Sequence, residues 1–204
     1  MNLKNFLAGT IAIAGLAATA PVLAQDTGFY VGAGLGWVDW SIDNSTALAI
    51  PGLTSFSSDN SSTGWKIYGG YQFHRNFGVE AGYVDLGSIG VRGTATVGGV
   101  NTTFAGDADV TAWTLALTGT LPMNQQFDLT GKLGFYNWDA GGGVAGAAPG
   151  ISAGLGASDT GTDFLGGLGV RYNINKNVGI GAEWEYFGGS DKANFYSINL
   201  RYKF

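Results

Sequence analysis

Segments in which apolar residues alternate with small or polar residues recur along most of this chain. In the first of them one parity holds Phe29, Val31, Ala33, Leu35 and Trp37, while the other holds three glycines. Because successive side chains of a β-strand point to opposite faces, each such segment has one apolar face. The segments fall near residues 29–37, 65–73, 77–83, 112–121, 127–136, 163–174, 178–186 and 196–204. The pattern predicts an all-β fold, an eight-stranded antiparallel up-and-down barrel.

The composition of the second face decides where the barrel sits. It is mostly Gly, Ala, Thr and Ser, and charged residues make up only 12% of the chain. This face would be a poor water-exposed surface, which disfavours a soluble lipocalin-like barrel. It suits the narrow interior of an eight-stranded barrel, with the apolar face toward lipid. We therefore predict a transmembrane β-barrel.

Aromatic residues near the strand ends support the same prediction. Two rings of aromatic side chains are typical of barrels that meet the two bilayer interfaces. One predicted ring comprises Phe29, Phe73, Phe77, Phe127, Tyr172 and Phe204, and the other comprises Trp37, Trp65, Tyr83, Trp113, Phe164 and Tyr186.

The N-terminal residues are typical of a secretory signal peptide. Lys4 precedes an uncharged stretch of apolar and small residues from Phe6 to Ala20, and the cleavage region Pro21-Val22-Leu23-Ala24 follows before the polar Gln25. The apolar stretch is shorter than the roughly 20 residues that a membrane anchor needs. We predict a signal peptide over residues 1–24, with cleavage after Ala20 as the alternative, and a barrel domain over residues 25–204.

Three stretches resemble a known family. They are Gly28–Trp37, Tyr68–Gln72 and Gly78–Tyr83, with weaker support from 169–172 and 183–186. The chain resembles the transmembrane domain of OmpA-like proteins and other small porin-like barrels of bacterial outer membranes. It departs from the family in two ways: nothing resembles the periplasmic peptidoglycan-binding domain of long OmpA proteins, and Gly34 stands where OmpA's first strand points a cation inward.

The resemblance implies an outer-membrane location. Short turns in such barrels face the periplasm and long loops face the exterior. The predicted turns are 74–76, 122–126 and 175–177, and the predicted loops are 42–61, 87–108, 139–160 and the shorter 188–192. The loops are acidic, which favours a solvated surface beside lipopolysaccharide or, as a weaker alternative, divalent cations bridging to lipid phosphates.

The last predicted strand resembles the terminal assembly signal of outer-membrane barrels. Its apolar face ends on a C-terminal phenylalanine and comprises Tyr196, Ile198, Leu200, Tyr202 and Phe204. The resemblance implies the barrel-assembly machinery as a partner. Outer-membrane lipid and lipopolysaccharide are the other expected partners, an extracellular partner would bind through the loops, and a monomer is expected.

Charged residues on the inward parity form the candidate site. They are Lys66, Glu80, Lys132, Arg171, Glu183, Glu185 and Arg201, with Asp128 and Lys203 nearer the short turns. Buried charges are costly unless they are paired and hydrogen-bonded, so the residues predict a salt-bridged plug. Resemblance to OmpA implies an alternative, a network that gates the passage of small solutes.

Other chemistry has little support. There is no cysteine, and His74 is the single histidine, in a predicted turn. Gly150-Ile151-Ser152-Ala153-Gly154 matches the G-x-S-x-G pattern, but that motif needs a strand-turn-helix elbow with a nearby histidine. The net charge of −5 disfavours a nucleic-acid partner. We expect no catalytic residues, no metal site and no cofactor.

The functional expectation is therefore an integral outer-membrane barrel with a structural or surface-interaction role. A small pore for solutes is the alternative. An enzyme that modifies lipid A, or a protease, is a more distant alternative.

Overall fold

The computed structural model describes residues 27–41, 53–97, 100–148, 151–189 and 192–204. The proposed signal peptide, residues 1–24, lies outside these residues. The described strands are β1 Gly28–Ser41, β2 Leu53–Asp59, β3 Ser61–His74, β4 Phe77–Val97, β5 Val100–Pro122, β6 Phe127–Ala148, β7 Ile151–Asn173, β8 Val178–Phe187 and β9 Lys192–Lys203. None of the described segments is a helix long and apolar enough to cross a membrane.

Eight of these strands close into a ring. Each strand from β3 to β9 pairs antiparallel with the next, β1 pairs with β3, and β1 also pairs with β9. The closing ladder joins Tyr30 to Lys203 at one end and Ser41 to Lys192 at the other. Closure leaves no unpaired strand edge in the ring, as a membrane-spanning sheet requires. The predicted eight-stranded antiparallel barrel is confirmed.

The two faces of the wall divide as the alternation predicts. Leu35 and Leu133 on the outer face are 68% and 73% exposed, whereas Lys66 on the inner face is 2% exposed. Aromatic side chains pack against each other across neighbouring strands at both ends of the barrel, for example Phe127 on Tyr172 at the short turns and Trp37 on Tyr196 at the opposite end. The outer surface is therefore apolar around the ring and bounded by aromatic side chains.

The predicted loops 87–108 and 139–160 are strand over their described residues, so that part of the prediction was wrong. Residues 42–52 of the predicted loop 42–61 lie outside the described residues. β4 and β5 stay paired to Val97 and Val100, and β6 and β7 stay paired to Ala148 and Ile151. β2 is an additional strand that pairs with β4 outside the ring. We call the five strand portions 53–59, 88–97, 100–109, 139–148 and 151–160 the extension sheet. Residues 139–148 and 151–160, predicted as part of one loop, form paired strands because backbone pairing satisfies their polar groups without help from side chains.

A bulge marks where β4 leaves the ring. The register between β4 and β5 shifts between Asp85 and Ser88, and Gly87 between them has a φ of 74°. The Gly87 N–H donates to Asp85 Oδ1 at 2.8 Å. A Cβ at Gly87 would lie 2.7 Å from the Thr63 carbonyl oxygen, so both the backbone angle and the space require glycine.

Candidate functional site: the filled lumen

The polarity of the side chains that line the lumen changes along the barrel axis, and the inward-facing residues of β9 show this change. Its inward side chains are Ala193 and Phe195 near the extension sheet, Ser197 and Asn199 in the middle, and Arg201 near the short turns. All five are buried. The lumen therefore has three regions: an apolar region near the extension sheet, a polar and charged middle region, and a region that opens between the short turns.

Two lysines and three glutamates fill the middle of the lumen. Lys66 Nζ lies 2.6 Å from Glu183 Oε2 and also pairs with Glu185. Lys132 Nζ lies 2.7 Å from Glu80 Oε1, 2.9 Å from Glu183 Oε1 and 3.2 Å from Glu185 Oε1. We call these five residues the central cluster. It joins β3, β4, β6 and β8 across the lumen, so it fixes the positions of strands that are not neighbours.

Neutral side chains complete the central cluster. The Tyr30 hydroxyl donates to Glu80 Oε2 at 3.0 Å, and Asn199 Nδ2 donates to Glu183 Oε2 at 3.2 Å. Both ammonium groups approach the Tyr68 ring, at 5.6 and 5.7 Å from its centroid. The Asn199 side chain occupies the space above Gly34, so a larger residue at position 34 would displace it. This explains how the first strand accommodates the network without a cation of its own.

A separate ion pair lies nearer the short turns. Arg171 Nη2 and Nε donate to Asp128 Oδ2 at 3.0 and 3.2 Å, and Asn173 Nδ2 donates to the same oxygen at 2.9 Å. Asp128 and Arg171 face each other in the β6–β7 ladder. The sequence placed Asp128 toward this end, but only the register makes it the partner of Arg171.

Arg201 differs from the other predicted lumen charges. Its guanidinium carbon lies 3.6 Å from the centroid of the Tyr30 ring, and Nη2 donates to Gln72 Oε1 at 3.3 Å. Its Nε is buried and has no hydrogen-bond partner. Among the ion pairs that the described residues form, none includes Arg201. The structure thus brings five of the seven predicted charges into one cluster, pairs Arg171 with Asp128 and leaves Arg201 apart.

The end of the lumen nearest the extension sheet is filled by apolar side chains. We call this set the apolar plug, and it comprises Val38, Trp40, Val84, Leu86, Val110, Ala112, Tyr136, Leu165, Phe187, Ala193 and Phe195. Phe187 stacks edge-on against Tyr136 at 5.0 Å, and the Tyr136 hydroxyl donates to the Gly188 carbonyl oxygen. Lys66 Nζ lies 5.6 Å from the Phe195 ring centroid, so the plug rests directly on the central cluster.

Sequence reasoning missed the plug, although a signal exists. At this end of the barrel two consecutive residues are apolar, so both faces of the strand are apolar: Trp37-Val38, Tyr83-Val84, Phe164-Leu165, Tyr186-Phe187 and Phe195-Tyr196. The outer member of each pair meets lipid and the inner member enters the plug.

Below the central cluster the lumen contains free space. A cavity of about 60 Å³ lies between Tyr30, Tyr68, Glu80 and Lys132, enough for a few water molecules. A wider mouth of about 710 Å³ lies among the short turns. Both spaces are bordered by Gln72, Arg171 and Arg201. The short-turn end of the lumen therefore contains free space on both sides of Gln72, Arg171 and Arg201, while the other end is filled by the plug.

The remaining predicted positions lie outside the lumen. His74 is exposed at a turn, where its Nδ1 accepts from the Asn76 N–H at 3.2 Å. Ser152 lies in β7 opposite Ala147, not on a turn into a helix. Across the described ranges no three His, Cys, Asp or Glu side chains are grouped to hold a metal. Tyr196, Ile198, Leu200, Tyr202 and Phe204 all lie on the exposed outer face at the last strand.

A closed ring of eight antiparallel strands, apolar outside and filled with paired charges inside, defines a small β-barrel of the outer-membrane class. The profile of the OmpA-like transmembrane domain matches residues 24–199, and the chain belongs to this family. Its relatives include outer membrane protein A of Shigella flexneri, 27% identical over 94% of this chain and 50% of that protein. Outer membrane protein A of Yersinia pseudotuberculosis is 27% identical over 90% of this chain and 48% of that protein. The chain spans about half the length of these curated relatives.

Solved structures share the barrel at lower sequence identity. Ail, the attachment invasion locus protein of Yersinia pestis, is 18% identical and has a TM-score of 0.52, with 87% of this chain and 99% of that one aligned. OprG of Pseudomonas aeruginosa is 19% identical and has a TM-score of 0.50, with 87% and 96% aligned. At these identities the likeness extends to the fold.

Proposed function

We propose that this outer-membrane barrel has a structural and surface-interaction role, is not an enzyme, and has a lumen closed to solutes. The observation that carries the proposal is the apolar plug. Val38 and Phe195 in the plug are fully buried, and their layer lies above the paired charges of the central cluster. A dry apolar layer across a narrow lumen gives ions no ligands to replace their hydration shell.

The extension sheet supports the surface-interaction part. It continues four barrel strands beyond the aromatic ring and adds β2 at its margin. It carries Asp59, Asp107, Asp109 and Asp159 on exposed positions, against the cation Arg92. An acidic platform held by strand pairing presents a fixed surface to partners, which a set of mobile loops would not do.

The two ends of the barrel differ, with short turns at one end and the extension sheet at the other, and this difference supports an orientation in the membrane. We propose that the short turns face the periplasm and the extension sheet faces the exterior, after secretion with a cleaved signal over residues 1–24. An epitope inserted between Val97 and Val100 should bind antibody on intact cells. The same epitope inserted at Asn124 should bind only after the outer membrane is permeabilised, and the reverse pattern would refute the orientation.

Conductance of the refolded protein in planar bilayers tests the closed lumen. The wild type and Glu80→Ala should both be silent, because the plug stays in place when one glutamate of the central cluster is removed. The second candidate, a small pore, is favoured by the two free spaces, one among the short turns and one beside the central cluster. Reproducible openings that Glu80→Ala alters would establish the pore instead.

We also propose that the barrel-assembly machinery recognises the outer face of β9 and that the barrel is monomeric. The Phe204 N–H donates to the Phe29 carbonyl oxygen at 3.0 Å, so the terminal residue lies at the closing seam. Deletion of Phe204 should reduce the amount of heat-modifiable barrel in the membrane while synthesis is unchanged. A normal amount of folded barrel would contradict the assembly role.

A further inference from the structure

The short-turn mouth has an excess of positive charge. Its described cations are Arg75, Arg171, Lys176, Arg201 and Lys203, and its described acidic side chain is Asp128. Half of the ten Lys and Arg residues of the chain therefore line one opening of a protein with a net charge of −5. The electrostatic potential in this mouth is opposite in sign to that expected over the rest of the molecule.

Arg201 is the most buried of these cations, and its ring contact and hydrogen bond are with neutral groups. Its described partners are the Tyr30 ring and the Gln72 amide oxygen, and its Nε has none. The carboxylates of the central cluster form their ion pairs with Lys66 and Lys132. Arg201 is 9% exposed, so its guanidinium loses most of its hydration, and neutral contacts restore only part of that free energy.

The strand between Arg171 on β7 and Arg201 on β9 carries a glycine, Gly179, at this level. Because glycine has no side chain, the two arginine side chains have room to lie near each other. Gly179 on β8 pairs with Arg201 on one side and with Asn173 on the other. A Cβ at Gly179 would lie 3.0 Å from Cδ of Arg171, so the aliphatic part of the Arg171 side chain packs over this glycine. Arg171 and Arg201 border the same cavity and the same mouth, and Asp128 neutralises Arg171.

We propose that the short-turn mouth binds a phosphoryl oxyanion between Arg201 and Arg171. The planar guanidinium presents paired N–H groups that match phosphate oxygens, and a phosphoryl group can carry the two negative charges that suit this excess. Arg75, Lys176 and Lys203 at the rim attract the anion toward the deeper pair. The phosphoryl group can belong to a soluble phosphate compound or to the headgroup of a phospholipid in the adjacent leaflet.

Calorimetric titration of the refolded protein with inorganic phosphate tests binding of a soluble anion. The protein is held in uncharged maltoside micelles at constant ionic strength, with chloride as the reference anion. We expect saturable binding to the wild type and an affinity at least about tenfold lower for Arg201→Gln, which removes a charge-assisted contact. Lys192→Gln is the matched control, since Lys192 lies at the opposite end of β9, and its affinity should equal that of the wild type.

Phosphorus NMR in phosphatidylglycerol nanodiscs without added phosphate tests the headgroup. A broadened resonance from immobilised lipid that is present with the wild type and lost with Arg201→Gln would identify a headgroup as the ligand. Absence of both signals, or binding that Arg201→Gln leaves unchanged, would overturn the proposal.

A second variant makes the test independent of the folding of Arg201→Gln. Gly179→Asp introduces a carboxylate between the strands that carry Arg171 and Arg201, and the side chains of Arg171 and Asn173 must shift slightly to admit it. This internal anion should abolish phosphate or headgroup binding in a barrel that remains heat-modifiable. Undiminished binding by folded Gly179→Asp would overturn the proposal.

Discussion

The apolar plug and the central cluster fill the same tube by different physical means. The plug consists of side chains that need no particular partner, and its stability comes from removing apolar surface from water. The central cluster consists of five charged groups, each of which depends on the others. Truncating a plug residue leaves a cavity, whereas truncating a lysine of the cluster leaves buried carboxylates without a counterion. The charged region should therefore tolerate change less well.

The largest effect is expected for Lys132→Met, which removes the cation shared by three glutamates. The free energy of unfolding should fall by about 3–5 kcal/mol, because breaking a buried ion network leaves uncompensated charge. Urea unfolding in micelles, followed by tryptophan fluorescence, measures the change. Lys176→Met, at an exposed turn, is the control and should stay within about 0.5 kcal/mol of the wild type. An equally small change for Lys132→Met would show that the cluster does not stabilise the fold.

Phe187→Ala should have the next largest effect. The free energy of unfolding should fall by about 3 kcal/mol, because the substitution leaves a cavity in the plug beside Tyr136. The same unfolding experiment measures it. Phe135→Ala is the matched control: Phe135 lies next to Tyr136 in sequence but is 66% exposed on the lipid-facing side. We expect a smaller loss for the control. Equal losses would mean that the plug is no better packed than the outer surface.

Leu165→Met should have the smallest effect, less than about 1.5 kcal/mol, because the side-chain volume is nearly conserved at a buried apolar position. If Leu165→Met lowered the free energy of unfolding as much as Lys132→Met does, the proposed difference between the apolar plug and the central cluster would be refuted. The comparison uses the same micelles and denaturant for all variants, so differences in free energy reflect the site alone.

Most of the barrel could be predicted from the sequence, because side-chain alternation along a strand is a local property. Leu35 and Gly36 show which face meets lipid before any neighbour is known. The charged residues of the lumen were predicted as a set for the same reason. The pairing of Asp128 with Arg171 could not be predicted, because it depends on the register of two strands joined by a long hairpin.

The extension sheet and the plug were missed for different reasons. Residues 139–160 are rich in glycine and alanine, which favour loops when the chain is considered alone, but the partner strand supplies hydrogen bonds that composition does not reveal. Phe195 and Val38 point into the lumen, where most side chains are small or polar. A single apolar residue there looks like an exception to the pattern, and only the structure shows that several strands place such residues at the same height in the barrel. Both features arise from contacts between segments that are distant in sequence.

The ladder between β1 and β9 has a consequence for the order of folding. It joins the first and last strands that the structure describes, so the seam forms only when all eight strands of the ring have been delivered. Contacts between segments that are distant in sequence cost more conformational entropy of loop closure than local contacts do, and they slow the folding of a chain. Until that step both seam strands expose backbone groups that lipid cannot satisfy. Closure is therefore expected to be the late, committing event, which separates a membrane-compatible cylinder from an open sheet prone to pair with other chains.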